Sequence, residues 1–343
     1  MTSALPFFLA ELPLGTATAV GSWPGTDAAE ANRVVLGELG VLPHLVELPA
    51  RGVGADMIGR TAALLVDLAV EVVPSGYRVV RRAGRDHRRA QDFLRRDLDE
   101  LEAAWERGGV SPPAVKVQLV GPWTLAAAIE LHNGHRVLTD AGAVAEFTQS
   151  LAEGVALHAG EVHRRIGAPV IVQLDEPSLP GVLAGALPTA SGMSTIAAVA
   201  APDAEEALHS VLSRAPGATV VHCCAADAPV ALIRRAGADA VGIDIDLIGV
   251  GDLDGIGGLW QGGGVLALGV VPTDSRAPAP LREVAEPALR LVDRLGFARS
   301  VLASQVLVTP ACGLAGSSPA VAQRVLTQCV ELGRAFAEPP ESW

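Results

Sequence analysis

The sequence predicts an α/β fold, a (β/α)8 TIM barrel with an insertion between strands 2 and 3. Three observations point to it. Short β-branched runs alternate with longer amphipathic stretches along nearly the whole chain. Several of those runs are apolar at almost every position, as in parallel strands buried on both faces. The first run ends in "GSWPGTD", which lacks the Gly-rich phosphate loop that usually follows the first strand of an open doubly wound sheet.

The strand-like runs fall at 16–24, 43–49, 114–122, 169–177, 218–224, 239–247, 264–272 and 304–312. Between them, helical periodicity covers 28–39, 55–72, 86–107, 139–166, 203–214, 227–236, 277–295 and 318–337. Asp27, Asp203 and Ser317 stand where N-caps are expected. Gly167 and Gly237 stand where a helix gives way to a strand. The chain reads as one domain over 1–343. Its extra length lies at 50–113, as a helical and hairpin insertion with the hairpin near Tyr77–Arg82. The Gly-rich stretch 249–264 has no Walker spacing and reads as a flexible connection.

Bulk composition excludes several function classes. The net charge of −12 argues against a nucleic-acid partner, which requires a basic face. Residues 77–96 nonetheless carry eight arginines and read as a solvated helix and hairpin, the alternative being a dock for an anionic tail or partner. No run approaches the roughly 18 apolar residues of a spanning helix, so no membrane partner is expected. "MTSALPFFLAELPL" lacks the basic region of a signal peptide, which points to the cytoplasm. Four cysteines in such a chain favour metal binding or catalysis over a disulfide framework.

In a barrel of this kind the active site lies at the C-terminal ends of the strands. Those ends carry Ser22 and Trp23, Glu47, Gln118, Asp175 and Glu176, His222-Cys223-Cys224, Asp244 and Asp246, Thr273 and Asp274, and Cys312. Side chains alternate faces along a strand. His222 and Cys224 therefore share one face, and Cys223 points the other way, towards the helices. The same alternation puts Asp244 and Asp246 on one face. One imidazole, two thiols and a carboxylate form a donor set that suits tetrahedral zinc. The competing reading is that His222 and Cys224 are satisfied core residues. Cys329 lies within a helical pattern and reads as packing.

In order along the chain, "VGSWPGT" (20–26), "GPWTL" (121–125), "QLDEPSL" (173–179), "VVHCC" (220–224), "ADAVGIDID" (238–246) and "TPACGL" (309–314) resemble the catalytic barrel of the cobalamin-independent methionine synthase family, in a short single-barrel form. The resemblance spans about 15–335. It implies a (β/α)8 barrel holding zinc through His222, Cys224, Asp244 and Cys312, where Asp244 replaces the family's Glu and Asp246 is the fallback. It implies that Ser22 binds the carboxylate of homocysteine and Asp175 its ammonium, with Glu176 beside it and Trp123 lining the donor side. The family's Glu after the second strand aligns near Arg51 and is absent, leaving Glu47 as the nearest carboxylate. Its seventh-strand His is replaced near Asp274.

The implied reaction is methyl transfer to the homocysteine thiolate to form methionine, the donor being methyltetrahydrofolate or a methylcorrinoid protein. Three alternatives stand beside it. One is a methyltransferase for a different thiol, another a metal-free barrel of the uroporphyrinogen decarboxylase kind. The third is a non-catalytic zinc or corrinoid binder.

Overall fold

The computed structural model describes residues 9, 11–109, 111–189, 192–273 and 279–339. Its centre is a curled, all-parallel sheet of six strands in the order β3-β5-β6-β7-β8-β9. The antiparallel hairpin β1 (Ala69–Val73) and β2 (Gly76–Val80) precedes the sheet, and the short β4 (Ile129–Glu130) pairs with β2. The sheet strands are β3 (Val115–Val120), β5 (Val170–Asp175), β6 (Thr219–Cys223), β7 (Ala240–Asp244), β8 (Val265–Val271) and β9 (Val306–Pro310). Nearly all their residues are buried, because helices cover the outside and side chains fill the inside.

The first two expected strands are not continuous ladders. They are extended segments joined to the sheet by isolated parallel bridges: Ala17 with Val308, Ser22 with Glu47, and His44 with Lys116. Thr18 N donates to Val308 O, Glu47 N to Gly21 O, and Leu45 N to Lys116 O, so these two segments link β9 to β3.

Two apolar cores flank the sheet, and a third small cluster joins Ala63, Ala90 and Leu94. The larger lies between sheet and helices and includes Val117, Val172, Val221, Cys223, Val241 and Ile243. The smaller lies on the sheet's inner face, with Ile171, Val220, Ala240, Val265 and Leu307 above Leu9, Leu12 and Leu42. At about 25 cal/mol per Å2 of buried apolar surface, each fully buried Val or Leu stabilises the fold by about 1.5–3 kcal/mol before entropy is counted.

The helices depart from expectation in informative ways. The periodicity at 55–72 yields only the helix Met57–Ala62. That helix ends at Ala62 in turns in which Leu64 N donates to Thr61 O and Leu65 N to Ala62 O, Asp67 adopts a φ of 59°, and Ala69–Val73 then pairs as a strand. The Gly-rich stretch 249–264 contains a helix, Leu253–Gln261, because Ile256, Leu259 and Trp260 bury one face at helical spacing. Asp27 caps its helix by accepting from Glu30 N. Asp203 instead lies inside the first turn of Ala201–Leu212, and Ser318, not Ser317, caps Pro319–Ala337. Gly167 ends the helix Ala141–Ile166 at a φ of 74°, where a Cβ would be strained.

The Arg-rich helix Arg85–Gly108 packs on Ala28–Glu38. Its inner face carries Asp97, fully buried, which accepts from Arg51 Nη1 and Nη2 at 2.8 and 2.7 Å and from Arg60 Nη1 at 2.8 Å. Several of the other arginines form exposed pairs, such as Arg95 with Asp92.

Candidate active site at the strand ends

Strand register decides which side chains meet. Val120 pairs with Asp175, Asp175 with His222, and His222 with Gly242, so Asp175 and His222 share the inner face. Cys223 pairs with Ile243 on the helix-facing side. It is fully buried in the outer core, and burial pushes its thiol up to about 11. Cys224 follows the end of β6 and is partly exposed, as is Cys312 just beyond β9.

The two thiols act on each other electrostatically, and Cys312 together with burial pushes the Cys224 thiol up. Cys224, the Gly313 backbone and His222 hold the Cys312 thiol down at about 6 against the effect of burial. His222 Nδ1 donates to Asp175 Oδ1 at 2.8 Å. Asp175 Oδ1 also accepts from Gln173 Nε2 at 2.7 Å. This fixes the imidazole and leaves Nε2 without a hydrogen-bond partner among the described residues. A carboxylate behind the far ring nitrogen is the arrangement that orients metal-ligating histidines.

Ser22 lies beside the thiol pair. Its Oγ accepts from Ala315 N at 3.4 Å, and its carbonyl accepts from Leu314 N at 3.1 Å. A Cβ on Gly313 would sit 2.2 Å from Ser22 Oγ, so that glycine permits the close approach of the two loops. Glu47 is buried, with Oε1 3.8 Å from Arg60 Nε. Burial raises its carboxyl against the pull of Arg60.

Other expected site residues make contacts of their own. Asp244 ends β7, and Asp246 N donates to its Oδ1 at 3.0 Å. The strand stops at Asp244 and a 3-10 turn, Ile245–Leu247, begins, so Asp246 is exposed and does not share a strand face with Asp244 as alternation had suggested. Glu176 is fully buried beneath the helix Pro122–Ala128. Its oxygens accept from Trp123 N, Thr124 N and Thr124 Oγ1 at 2.7–2.9 Å. Burial pushes that carboxyl up to about 7.

Trp123 is buried too. Its Nε1 donates to Ala204 O at 3.1 Å, and the residue borders a groove of about 1070 Å3 between the helices Ala141–Ile166 and Ala201–Leu212. Both side chains are thus held by hydrogen bonds to neighbouring elements. Asp274 lies outside the described residues. Among the described residues, no three His, Cys, Asp or Glu side chains already converge as a metal site. The donor chemistry of Cys224, Cys312 and His222 fits a zinc ion. Asp244 is the candidate whose carboxylate is engaged elsewhere.

Sequence reading missed Gln173, Lys116 and Arg60, the groups that support this cluster. The signal was present in β3 and β5, where "VKVQLV" and "VIVQLD" carry polar residues at alternate positions of otherwise apolar strands.

Comparison with known proteins bears on this arrangement. A search of curated proteins finds no match. Among solved structures, the chain is similar to a B12-independent methionine synthase from Shewanella sp. W3-18-1 in complex with selenomethionine. The identity is 14% and the TM-score 0.59, over 94% of this chain and 97% of that one. It is also similar, at 11% identity and a TM-score of 0.43, to a GH113 β-mannanase from Alicyclobacillus acidocaldarius, over 96% of this chain and 99% of that one. The family described as "Cobalamin-independent synthase, Catalytic domain" matches residues 14–335. The chain therefore belongs to the cobalamin-independent synthase catalytic-domain family.

Proposed function

We propose that this protein is a zinc-dependent methyltransferase that moves a methyl group to the thiolate of homocysteine, forming methionine. The donor is methyltetrahydrofolate or a methylcorrinoid protein. The observation that carries this reading is the paired thiols of Cys224 and Cys312 beside a histidine whose ring is fixed by Asp175. We read the bridged segments 16–24 and 43–49 as the two remaining staves of an eight-stranded barrel, with 50–113 inserted after the second. The reading carries with it a cytoplasmic location and no nucleic-acid or membrane partner. Among the described residues no helix is long and apolar enough to cross a membrane.

His222, Cys224 and Cys312 would hold zinc, with Asp244 as the fourth ligand once it releases Asp246 N. Bound zinc lowers the pKa of a coordinated thiol and so supplies a thiolate at neutral pH. The chain's own residues do the rest. Asp175 keeps the His222 ring in one orientation and one tautomer. Ser22, held beside Gly313, offers its hydroxyl to the carboxylate end of the amino acid. Asp175 would hold the ammonium end. Glu47 sits against Arg60 as a second, deeper carboxylate on the same wall. Fixing both ends of the acceptor turns methyl transfer into a positioned, in-line displacement.

A second reading, a methyltransferase for a different thiol, has one observation in its favour. Asp175 already accepts from His222 and Gln173, and Arg51 stands where the family has an acidic residue. The metal-free decarboxylase reading leaves the thiol pair without a role.

Calorimetric titration of the zinc-loaded protein separates the two thiol readings. Homocysteine should bind and 2-mercaptoethanol, which lacks the amino-acid end, should not. Equal binding of both would favour the second reading, and absence of zinc uptake would overturn both.

A further inference from the structure

Lys116 is the only lysine in the chain, and all the other basic side chains among the 26 Lys and Arg are arginine. It is also 1% exposed. As the second residue of β3 it pairs with Ile171, on the inner face of the sheet. Its Nζ donates to Val20 O at 3.0 Å and reaches Gln118 Oε1 at 3.5 Å. The carboxylates of Asp175 and Glu47 attract it across the interior, and burial brings its ammonium down to about 8. With Gln173 and His222 it borders an internal space of only about 10 Å3.

An ammonium is a compact point charge, whereas a guanidinium is a wide planar fork. Arginine stands at every other Lys or Arg position of the chain. A buried cation is retained only with partners. Arg60 already faces Glu47, so Asp175 is the carboxylate for which Lys116 is the buried counter-charge.

Val20 O is a shared acceptor. It takes Lys116 Nζ and also Gln173 Nε2 at 2.9 Å. Gln173 Nε2 donates in turn to Asp175 Oδ1, which accepts from His222 Nδ1. An unbroken hydrogen-bonded chain thus runs from Lys116 through Val20, Gln173 and Asp175 to His222. Val20 lies two residues before Ser22.

We propose that Lys116 is a positioning residue for the site, the internal counter-charge that holds the Ser22-bearing segment and the Asp175–His222 pair in register with each other. The inference rests on the proposed function, in that Ser22 and His222 are taken to serve one acceptor. Lys116 itself touches neither metal nor substrate.

Two measurements test it. The first is zinc affinity, by competition with a chromophoric chelator, for wild type, Lys116→Met and the charge-balanced pair Lys116→Met/Glu47→Gln. Removing an outer-shell partner of a metal ligand typically weakens metal binding by about 10–100-fold. That partner here is Asp175, which Lys116 reaches through Val20 and Gln173, so the folded variants should bind zinc about tenfold more weakly, the lower end of that range. Affinity within about twofold of wild type, in either folded variant, would overturn the proposal.

The second measurement needs no metal and no lysine variant. Protein labelled with 15N-lysine should show one protected side-chain ammonium signal. That signal should move in Asp175→Asn and stay in place in Asp293→Asn, a surface change. A signal unmoved by Asp175→Asn would overturn the proposal. If wild type takes up no zinc, the proposed function fails, and the ammonium signal still decides the role of Lys116.

Discussion

Three single serine substitutions separate the roles of the three cysteines near the strand ends. Cys223 is fully buried among apolar side chains. A hydroxyl there, without a partner, costs about 1–3 kcal/mol. At about 2.1 cal/mol/K per residue of unfolding entropy, a chain of 343 residues loses roughly 1.5–4 °C of unfolding midpoint. Cys224 and Cys312 are partly exposed, so their serine variants should change apo stability by no more than about 0.5 kcal/mol. Their effect lies in the metal. A ligand present at about 1,000 times its Kd stabilises by about 4 kcal/mol, or roughly 5–6 °C here. That zinc-dependent rise should survive in Cys223→Ser and vanish in Cys224→Ser and Cys312→Ser. The assay is thermal unfolding with and without zinc, alongside metal-to-protein ratios by mass spectrometry. Equal loss of the rise in all three variants would refute the face assignment on β6.

Other perturbations test the supports of the site. Asp97→Asn leaves the buried guanidinium of Arg51 without its anion and Arg60 with Glu47 alone, and should cost about 3–5 kcal/mol by urea unfolding, whereas a loss below about 1 kcal/mol would refute the network. His158 is buried, and burial lowers it from 6.5 to about 4, so its contribution is complete above pH 6.5 and is lost as pH falls towards 4. At pH 5 the deficit is about 2 kcal/mol, and His158→Gln should lose that much less stability between pH 7 and 5 than wild type. Gly313→Ala pushes a methyl onto Ser22 Oγ and should weaken homocysteine binding by about 10–100-fold, the worth of one hydrogen bond to a charged group, with zinc uptake retained.

Much of this architecture is legible in the sequence because parallel strands buried on both faces announce themselves as apolar runs. β3, β5, β6, β7, β8 and β9 all fall inside the expected ranges for that reason. The split of His222 and Cys224 from Cys223 follows from alternation alone, since β6 is regular up to Cys223. The same rule fails at Asp246. Nothing in "GIDID" reveals that the ladder stops at Asp244 and a 3-10 turn starts. The contacts of Glu176 and Trp123 are illegible for another reason. Their positions at strand ends are right, but their side chains are drawn off by backbone donors and acceptors of neighbouring helices, contacts made between segments 50–80 residues apart. The length of the helix at 55–72 is overestimated because apolar periodicity continues past Asp67, whose left-handed backbone cannot be read from residue type.

The most direct test of the central claim is transfer of an isotopically marked methyl group. Zinc-loaded protein is incubated with homocysteine and either trideuteromethyl-tetrahydrofolate or trideuteromethyl-cobalamin, and the products are read by mass spectrometry. The account predicts trideuterated methionine with at least one donor, and none with Cys224→Ser or Cys312→Ser. Zinc-loaded wild type that binds homocysteine yet forms no labelled methionine with either donor would contradict it.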